Sequence, residues 1–269
     1  SQEKLVGIMG WPVSHSLSPK MHNYAFKKLS LNDWRYVYLP VKPEAIKDAI
    51  FGLKALGFCG ANVTVPHKEA VLPFLSLSQD AEEIGAVNTI QIVEGKMFGH
   101  NTDALGFIND LLDHDIDPKG LNVSILGAGG SAKAIAYGLL SKGAKLTILN
   151  RTLSKAQELE KSLSQRFLSV KAKVLGPDVN NFNSDLIINT TSLGLLELKS
   201  PCPDVRFNKN QVVYDIIYGK KTALLEQAAK DGAKTMDGLG MLIHQGALAF
   251  KIWTGVDAPV MLMKEALKT

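Results

Sequence analysis

Residues 121–132 read Leu-Asn-Val-Ser-Ile-Leu-Gly-Ala-Gly-Gly-Ser-Ala, an apolar strand that leads directly into a glycine-rich turn. A helical pattern with Ile135, Ala136 and Leu139 on one face follows, and then a second apolar strand over 146–149. The pattern GxGxxA is a weak signal alone. Inside a strand–turn–helix–strand unit it predicts a dinucleotide-binding fold, with a purely structural glycine turn as the alternative.

The residue types in this turn suit a pyrophosphate. Gly127 permits a tight turn, Gly129 lets the backbone approach the phosphates, and Ala132 allows close packing of helix against strand. The helix N-terminus then offers free backbone N–H groups to the anion. The predicted cofactor contacts in the turn are Gly127, Ala128, Gly129, Gly130, Ser131 and Ala132.

The end of the second strand indicates which dinucleotide is bound. Enzymes that use NAD usually carry Asp or Glu there, whereas this chain has Asn150-Arg151-Thr152, with Lys155 nearby. An arginine attracts the extra phosphate of NADP, and its planar face can stack on adenine. We predict NADP rather than NAD; an ordinary surface role for Arg151 is the alternative.

Three more apolar runs, over 170–175, 185–189 and 211–216, predict further strands. A polar turn of small residues follows the middle run, at the edge of the sheet where cofactors bind. Tyr218 follows the last run, where contact with a substrate and ordinary packing are both open. The predicted cofactor contacts in these segments and at the next helix are Thr191, Ser192, Ile216 and Gly238.

Residues 61–68 read Ala-Asn-Val-Thr-Val-Pro-His-Lys, and their alternation of apolar and polar types predicts a short strand. Pro66 cannot donate to a ladder, so it ends the strand, and its fixed φ suits the first turn of a helix. Lys68 is then expected in that turn, where the helix dipole disfavours a cation. We interpret Lys68 as a candidate acid/base; a surface lysine is the alternative.

A first strand, over 5–9, is followed by a loop that holds Ser16 and Ser18. Ser18 and Pro19 are typical of the N-cap and first position of a helix, here predicted to reach about Leu29. The two hydroxyls follow the carboxyl end of a strand, where open α/β sheets bind ligands. Helix capping alone is the alternative explanation for Ser18.

The next elements alternate between strands and helices, which predicts a mainly parallel sheet. A strand over 36–40 precedes a helix that Pro43 opens and Gly57 ends. Glu94-Gly95 is typical of a hairpin turn. The N-terminal part of the chain is therefore predicted to be an α/β domain.

Asp103 begins a predicted helix with Leu105, Ile108, Leu111 and Leu112 on one face. A carboxylate near a helix start is stabilised by the helix dipole. A catalytic role and a structural role are therefore both open for Asp103 at this point.

The run over 238–250 is apolar nearly all round, which predicts a buried helix. Gln245 lies within it, and a buried amide needs hydrogen-bond partners, of which a ligand is one possibility. A final amphipathic helix is predicted over 259–267.

The composition excludes several classes of protein. The chain has 46% hydrophobic and 21% charged residues, a net charge of +4 and a pI of about 8.9, without a dense basic cluster that would indicate nucleic acid. Cys59 and Cys202 predict free thiols in a reducing compartment. The histidines and cysteines lack metal spacing, and Walker and GxSxG motifs are absent. Without a membrane-spanning run or a signal-peptide pattern, we expect a soluble, cytoplasmic protein.

The sequence resembles the shikimate dehydrogenase family almost from end to end. The motifs that carry the resemblance are Ser-His-Ser-Leu-Ser-Pro at 14–19, Ala-Asn-Val-Thr-Val-Pro-His-Lys at 61–68, Gly-Ala-Val-Asn-Thr at 85–89, Asn-Thr-Asp at 101–103, Gly-Ala-Gly-Gly at 127–130, Asn-Arg-Thr at 150–152, and Asp-Gly-Leu-Gly-Met-Leu with a following glutamine at 237–245. Two places depart from the family's common pattern. Leu195 stands where methionine is frequent, and Gly219 stands where proline often follows the tyrosine.

The resemblance implies a role for each matching residue. Lys68 is similar to the family's catalytic acid/base, and Asp103 to its partner. Ser16 and Ser18 look like the hydroxyls that bind the substrate carboxylate. Residues similar to those that hold the ring hydroxyls, or that lie near the carboxylate, are Thr64, Asn88, Asp103, Gln245 and Tyr218. Residues similar to the binders of the adenosine phosphate are Asn150, Arg151, Thr152 and Lys155.

The family's two-domain layout implies an α/β architecture for this chain. Residues 1–101, completed by C-terminal helices over 238–269, are expected to form the substrate domain. Residues 102–117 are expected to connect it to a doubly wound, Rossmann-type NADP domain over 118–237. The active site is expected in a cleft between the domains.

The resemblance implies NADPH-dependent reduction of 3-dehydroshikimate to shikimate, in aromatic amino-acid biosynthesis. We expect a small-molecule substrate, no metal, nucleic acid or membrane partner, and a monomer or homodimer. A quinate/shikimate dehydrogenase that also uses NAD is the nearest alternative. A non-catalytic binding protein and a methylene-tetrahydrofolate dehydrogenase are further alternatives.

Overall fold

The computed structural model describes residues 3–176, 179–195, 197–257 and 259–268. The chain forms two compact units: unit 1 is Ser1–Gly106 with Leu242–Thr269, and unit 2 is Phe107–Met241. Both divisions fall inside helices, so the chain passes between the units along helical segments. Strands and helices occur in both units, which confirms the predicted α/β class.

Unit 1 contains a six-stranded mixed sheet. Its strands are β1 (Lys4–Gly10), β2 (Trp34–Pro40), β3 (Gly60–Val63), β4 (Ser76–Leu77), β5 (Thr89–Val93) and β6 (Lys96–His100). The strand order is β2-β1-β3-β5-β6-β4. β1 pairs in parallel with β2 and β3, whereas β5 pairs antiparallel with β3 and β6. The carboxyl ends of β1 and β3 therefore lie side by side.

The helices that lie wholly or partly in unit 1 are α1 (Ser18–Lys28), α2 (Ile46–Ala55), α3 (Gln79–Ile84), α4 (Asp103–Asp113), α8 (Leu239–Thr254) and α9 (Val260–Lys268). As predicted, Pro43 begins a 3₁₀ turn that leads into α2, and Gly57, with φ of 74°, follows the end of that helix. The predicted hairpin is also confirmed: Glu94 and Gly95, with φ of 49° and 71°, join β5 to β6.

Unit 2 contains a second six-stranded sheet, and all its pairings are parallel. Its strands are β7 (Asn122–Leu126), β8 (Lys145–Asn150), β9 (Val170–Val174), β10 (Leu186–Asn189), β11 (Val212–Asp215) and β12 (Lys234–Met236), in the order β12-β11-β10-β7-β8-β9. Its own helices are α5 (Gly130–Ser141), α6 (Leu153–Ser164) and α7 (Ala223–Lys230). This is the strand order of a doubly wound dinucleotide-binding sheet, as predicted.

The sheet of unit 2 is buried on both faces, because successive side chains of a strand point in opposite directions. Leu186 and Ile188 of β10 pack in a cluster with residues of α5 and α6, whereas Ile187 packs in a cluster with residues of α7. The fully apolar strands of this unit follow from that double burial.

The predicted helix after Pro66 is wrong. Residues around Lys68 form turns, and the next helical residues are a 3₁₀ turn at Leu72–Phe74. The carbonyl of Lys68 accepts a hydrogen bond from the N–H of Val87 (2.8 Å) instead of the i+4 bond of a helix. The charge of Lys68 is therefore not set against a helix dipole of its own segment.

Ser18 is not the N-cap of α1. The helix begins at Ser18 with Leu17 as its N-cap, and the side chain of Leu17 makes no capping hydrogen bond. The N–H of Ser18 donates to Oγ of Ser16 at 3.2 Å. Capping is therefore excluded as the explanation for the Ser18 hydroxyl.

The predicted apolar face of α4 is wrong at two of its four leucine and isoleucine positions. Leu105 and Leu112 are each 49% exposed, whereas Phe107, Ile108 and Leu111 are buried. Positions seven residues apart lie on one side of a helix, and here the side that carries Leu105 and Leu112 lies outside the buried stripe.

An aromatic cluster joins α1, β2 and α8 in unit 1. The ring of His22 is fully buried and stacks on Tyr36, with 4.4 Å between the ring centroids and 6° between the planes. Phe250 and Trp253 of α8 pack on the same imidazole. Neither ring nitrogen of His22 has a hydrogen-bond partner among the described residues. Burial lowers the pKa of His22 from 6.5 to about 3.

Among the described residues, helices are too short or too polar to cross a membrane.

The buried His22 predicts an acid-sensitive fold. The unfolded state binds a proton below pH 6.5 that the folded state does not bind until about pH 3, so stability is complete above pH 6.5 and falls as the pH decreases. Between pH 6.5 and pH 5 the free energy of unfolding should fall by about 2 kcal/mol on this account. Urea unfolding of the wild type and of His22→Phe across this range measures the effect. If the free energy of unfolding fell by the same amount between pH 6.5 and pH 5 in both proteins, the role assigned to His22 would be contradicted.

Candidate active site

Lys68 and Asp103 form an ion pair in unit 1. Nζ of Lys68 lies 2.7 Å from Oδ2 of Asp103, and their side chains are only 11% and 6% exposed. Lys68 lies in the turns that follow β3, and Asp103 is the first residue of α4. The buried carboxylate and the ammonium are therefore paired with each other. The structure therefore brings together the two residues that the sequence analysis selected for acid/base chemistry.

The side-chain amide of Asn88 holds the second oxygen of Asp103. Nδ2 of Asn88 donates to Oδ1 of Asp103 at 2.9 Å, and also contacts Oγ1 of Thr102 at 2.8 Å and Oε1 of Gln245 at 3.2 Å. Its Oδ1 accepts from the N–H of Thr102 at 2.8 Å. Asn88 thus orients the Asp103 carboxylate while Lys68 binds the other oxygen.

Gln245 of α8 joins the same group, as a buried amide in an apolar helix was expected to do. Its side-chain Nε2 donates to the carbonyl of Leu242 at 2.8 Å. The backbone carbonyl of Gln245 accepts from Oγ1 of Thr102 at 3.0 Å. Close approach of two helices permits this, because a Cβ on Gly106 of α4 would come within 2.7 Å of the Gln245 backbone nitrogen. Lys68, Asp103, Asn88 and Gln245 therefore form one polar cluster.

Ser16 lies in the loop that follows β1, and Ser18 is the first residue of α1. Both are buried, at 5% and 1% exposed, and the carbonyl of Ser16 accepts from the hydroxyl of Tyr38 at 3.0 Å. A Cβ on Gly10 would come within 2.4 Å of the Thr64 side chain, so the ends of β1 and β3 are in contact. Ser16, Ser18 and Thr64 are thus placed at one edge of the sheet.

The glycine-rich turn of unit 2 has the geometry that a pyrophosphate needs. Gly127 has φ of +113°, and a Cβ there would come within 2.5 Å of Oγ1 of Thr190. Gly129 is the N-cap of α5, and a Cβ on it would meet no atom within 4 Å. Ala132 is fully buried against the sheet. The turn is thus closely packed at Gly127 and open at Gly129, which fits the cofactor predicted from its sequence.

The predicted adenosine-phosphate residues follow β8. Asn150 is the last residue of that strand, and its Nδ2 donates to the carbonyl of Thr152 at 2.9 Å. Arg151, Thr152 and Lys155 are exposed at the start of α6. Two cations on one exposed turn, without a carboxylate among these residues, suit an additional phosphate.

The ends of β10 and β11 are connected by buried polar groups. Oδ1 of Asn189 accepts from the N–H and the hydroxyl of Thr191, at 3.0 and 2.7 Å. Asp215 accepts from Asn189 at 3.1 Å and from the Thr222 hydroxyl at 2.7 Å, and burial raises the pKa of Asp215. Thr191 and Ser192 are therefore held by a rigid framework beside β7, where the strand order reverses.

Three further predicted residues lie beyond β11. A Cβ on Gly238 would come within 1.9 Å of the carbonyl of Ile216, so these two predicted cofactor contacts touch each other. Tyr218 is half-buried in the same segment. The residue after it, Gly219, has φ of +79°, a conformation that the proline common in the family cannot adopt.

Several residues that are hydrogen-bonded to the polar cluster, directly or through one another, were not predicted as site residues from the sequence. Thr102, Thr89, Asn62 and Tyr36 are all buried and take part in these hydrogen bonds. One signal was present: Asn62 lies within an otherwise apolar strand, and a buried amide has to be paired. The described residues contain no group of three or more His, Cys, Asp or Glu side chains that could hold a metal ion.

Three segments match models of one family. Residues 8–90 match the shikimate dehydrogenase substrate binding domain, residues 111–195 match shikimate / quinate 5-dehydrogenase, and residues 238–268 match the shikimate 5'-dehydrogenase C-terminal domain. The shikimate dehydrogenase (NADP(+)) of Carboxydothermus hydrogenoformans is 44% identical, over 99% of this chain and 97% of that protein.

Solved structures agree with the sequence comparison. A shikimate dehydrogenase in complex with NADP+ superimposes with a TM-score of 0.91 at 42% identity, covering 99% of this chain and 95% of that one. The enzyme of Thermus thermophilus, in complex with NADP(H) and shikimate, gives 0.86 at 35% identity, with 98% of each chain covered.

A protein named for another substrate is also similar. The 5-ketofructose reductase of a Gluconobacter strain, solved without ligand, gives a TM-score of 0.84 at 35% identity, covering 99% of this chain and 98% of that one. Relatives named for shikimate nevertheless reach higher identity over nearly the full length, and the family models cover both units. The chain belongs to the shikimate dehydrogenase family.

Proposed function

We propose that this chain catalyses the reversible NADPH-dependent reduction of 3-dehydroshikimate to shikimate, with Lys68 as the acid/base and Asp103 as its partner. The observation that carries the assignment of roles is the buried contact of 2.7 Å between Nζ of Lys68 and Oδ2 of Asp103. A lysine held in this way presents an ammonium at a fixed position, where it can serve one oxygen of a substrate.

The protein has to donate one proton to the substrate in the reduction and to accept one in the oxidation. When bound, NADPH supplies the hydride that reduces the carbonyl carbon. As negative charge develops on the substrate oxygen, the ammonium of Lys68 stabilises it and donates a proton to it. In the oxidation of shikimate, neutral Lys68 accepts the hydroxyl proton, and Asp103 orients both lysine and hydroxyl throughout.

The other polar residues of unit 1 bind the substrate. Asn88, Gln245 and Thr64 hold the ring hydroxyls, because amides and hydroxyls can both donate to and accept from them. The hydroxyls of Ser16 and Ser18 donate hydrogen bonds to the substrate carboxylate, and Tyr218, a residue of unit 2, contributes a further contact near that group. These assignments rest on the residues' places in the family's motifs and, for Ser16, Ser18, Asn88 and Gln245, also on the burial of the side chains.

Residues of unit 2 hold the cofactor. The turn from Gly127 to Ala132 and the N-terminus of α5 bind the pyrophosphate. Thr191, Ser192, Ile216 and Gly238 contact the nicotinamide half. The residues that bind the adenosine phosphate are Asn150, Arg151, Thr152 and Lys155.

The first test is loss of NADPH absorbance with 3-dehydroshikimate, run beside NADH, beside oxidation of quinate, and beside 5-ketofructose with NADPH. We expect rapid turnover that needs NADPH and 3-dehydroshikimate. Comparable rates with NADH or quinate would favour the broader quinate/shikimate dehydrogenase. Faster turnover of 5-ketofructose would overturn the substrate assignment.

Substitution of Lys68 separates proton transfer from orientation. We expect Lys68→Ala to lower kcat by at least about 100-fold, a typical loss for an acid/base group. Lys68→Arg keeps a cation beside Asp103 but cannot release its proton at neutral pH. If Lys68 is the proton donor, single-turnover measurements should find both variants slow while circular dichroism finds both folded. Recovery of kcat in Lys68→Arg would show that the lysine only orients the substrate.

Arg151→Ala tests the phosphate site. Without the guanidinium we expect KM for NADPH to rise at least about tenfold, since a charged hydrogen bond to phosphate is lost. KM for 3-dehydroshikimate should change less than twofold. NADH, which lacks the phosphate, is the matched control, and an equal effect on both cofactors would contradict the assignment.

A pair of glycine variants tests the pyrophosphate site. Gly129→Ala adds a methyl group where the protein leaves space, so the thermal midpoint should be unchanged while the Kd for NADPH rises at least about tenfold. Gly127→Ala places a Cβ at a positive φ and against Thr190, so it should cost at least about 1 kcal/mol of stability. Normal NADPH binding by Gly129→Ala in calorimetry would place the pyrophosphate elsewhere.

A further inference from the structure

A continuous run of hydrogen bonds leads from β2 to the Asp103 carboxylate. The hydroxyl of Tyr36 contacts Oδ1 of Asn62 at 2.8 Å, and Nδ2 of Asn62 donates to Oγ1 of Thr89 at 3.0 Å. Oγ1 of Thr89 donates to Oδ1 of Asn88 at 3.1 Å, and Nδ2 of Asn88 donates to Asp103 at 2.9 Å. All five residues are less than 5% exposed. Solvent therefore does not compete for these bonds.

The orientation of the Asn62 amide fixes the direction of the run. Nδ2 of Asn62 also donates to the backbone carbonyl of Asn88 at 3.1 Å, and a carbonyl can only accept. A flipped amide would set two oxygens against each other there. Oδ1 of Asn62 must therefore face Tyr36, and the hydroxyl of Tyr36 must be the donor.

The same logic fixes the orientation of the Asn88 amide. Its Oδ1 accepts from the hydroxyl of Thr89 and from the N–H of Thr102. Its Nδ2 is thereby directed to Asp103 and Gln245. The opposite orientation would place an amide oxygen beside the Asp103 carboxylate and an amide nitrogen beside a backbone N–H, so both ends would repel.

The far end of the run is rigidly held. The ring of Tyr36 stacks on the neutral imidazole of His22, and its centroid lies 6.1 Å from that of Trp253. Its backbone N–H and carbonyl both bond to the side chain of Asn23, each at 2.9 Å. The indole N–H of Trp253 donates to the carbonyl of Ile90 at 2.9 Å. The donor hydroxyl thus has a fixed position relative to the sheet.

We propose that Tyr36, Asn62 and Thr89 are positioning residues for the acid/base pair. Thr89 donates a hydrogen bond to the Asn88 amide oxygen, beside that from the N–H of Thr102, and Asn88 in turn holds the Asp103 carboxylate in the orientation that receives Lys68 and the substrate hydroxyl. The inference rests on the proposed function, since it assigns these residues a purpose in the reaction at Lys68 and Asp103.

Two substitutions at Thr89 provide the sharpest test. Thr89→Val keeps the shape and removes the hydroxyl, whereas Thr89→Ser keeps the hydroxyl and removes a methyl group. We expect Thr89→Val to lower kcat at least fivefold, and to raise the Kd of the cofactor-free protein for shikimate at least threefold in calorimetry. Thr89→Ser should stay within twofold of the wild type in both. KM for NADPH should change less than twofold in either variant.

Tyr36→Phe tests the origin of the run, and Ile50→Val is its control. Tyr36→Phe removes only the donor hydroxyl, and we expect kcat to fall at least fivefold. Ile50 is fully buried in unit 1 but belongs to the apolar core, so Ile50→Val should lower the thermal midpoint and leave kcat within twofold. An equal loss of kcat in Ile50→Val would show that general destabilisation explains the result and would overturn the proposal.

The two proposals fail in different ways. If the wild type does not turn over 3-dehydroshikimate, the proposed function fails and this inference fails with it. If the wild type is active but Thr89→Val keeps kcat and Kd within twofold, only the positioning proposal is overturned. The same holds if Thr89→Ser is as impaired as Thr89→Val.

Discussion

Asp103 carries a negative charge in the interior of unit 1, and the surrounding structure is arranged so that this charge is paired. An isolated buried carboxylate is strongly unfavourable, and each of its oxygens needs a donor. Lys68 donates to one oxygen and Asn88 to the other. These donors come from the segments after β3 and before β5, so the pairing of those two strands sets the distance between them. Loss of either donor would leave one oxygen of the buried carboxylate without its hydrogen bond.

The two units differ in how far their polar residues are buried. In unit 1 the amides, hydroxyls and charges are buried and satisfy one another, so the cluster is preorganised. In unit 2 the residues after β8 are exposed, while the polar groups at the ends of β10 and β11 are buried: Asp215 accepts from Asn189, from Thr222 and from the N–H of Ile217. A rigid base with exposed binding groups suits a large cofactor that must enter and leave. A buried cluster suits a small substrate that must be oriented closely.

The local features of this fold were predictable from sequence because short-range chemistry determines them. The glycine turn at Gly127, the Glu94-Gly95 hairpin and the end of α2 at Gly57 each depend on a backbone conformation that few residues can adopt. The environment of Lys68 was not predictable in the same way. Its carbonyl bonds to Val87, and a contact across the sheet overrides the local preference for a helix after proline.

Short elements and long-range networks also escaped prediction. The helices α3 and α7 and the strands β4 and β12 carry few residues and were not predicted. The helix α6 was also not predicted, although its buried Ala156, Leu159 and Leu163 follow helical spacing. The run from Tyr36 to Asp103 depends on the order of strands in the sheet, which no local pattern encodes. Family motifs identified Asn88 and Asp103; the motif at 85–89 includes Thr89, but it assigned no role to the hydroxyl that donates to the Asn88 amide oxygen.

Unit 1 is built from two separate segments of the chain, and this determines the order in which the residues of each unit are synthesised. Its first segment ends at Gly106 and its second begins at Leu242, with the whole of unit 2 between them. On the ribosome, unit 2 is complete before α8 has been synthesised. Until then unit 1 lacks Gln245, Phe250 and Trp253, which belong to that helix. Trp253 packs closely on the sheet, because a Cβ on Gly60 would lie 2.4 Å from its indole nitrogen. The nascent chain therefore contains every residue of its dinucleotide-binding unit before Gln245 is available to complete the polar cluster.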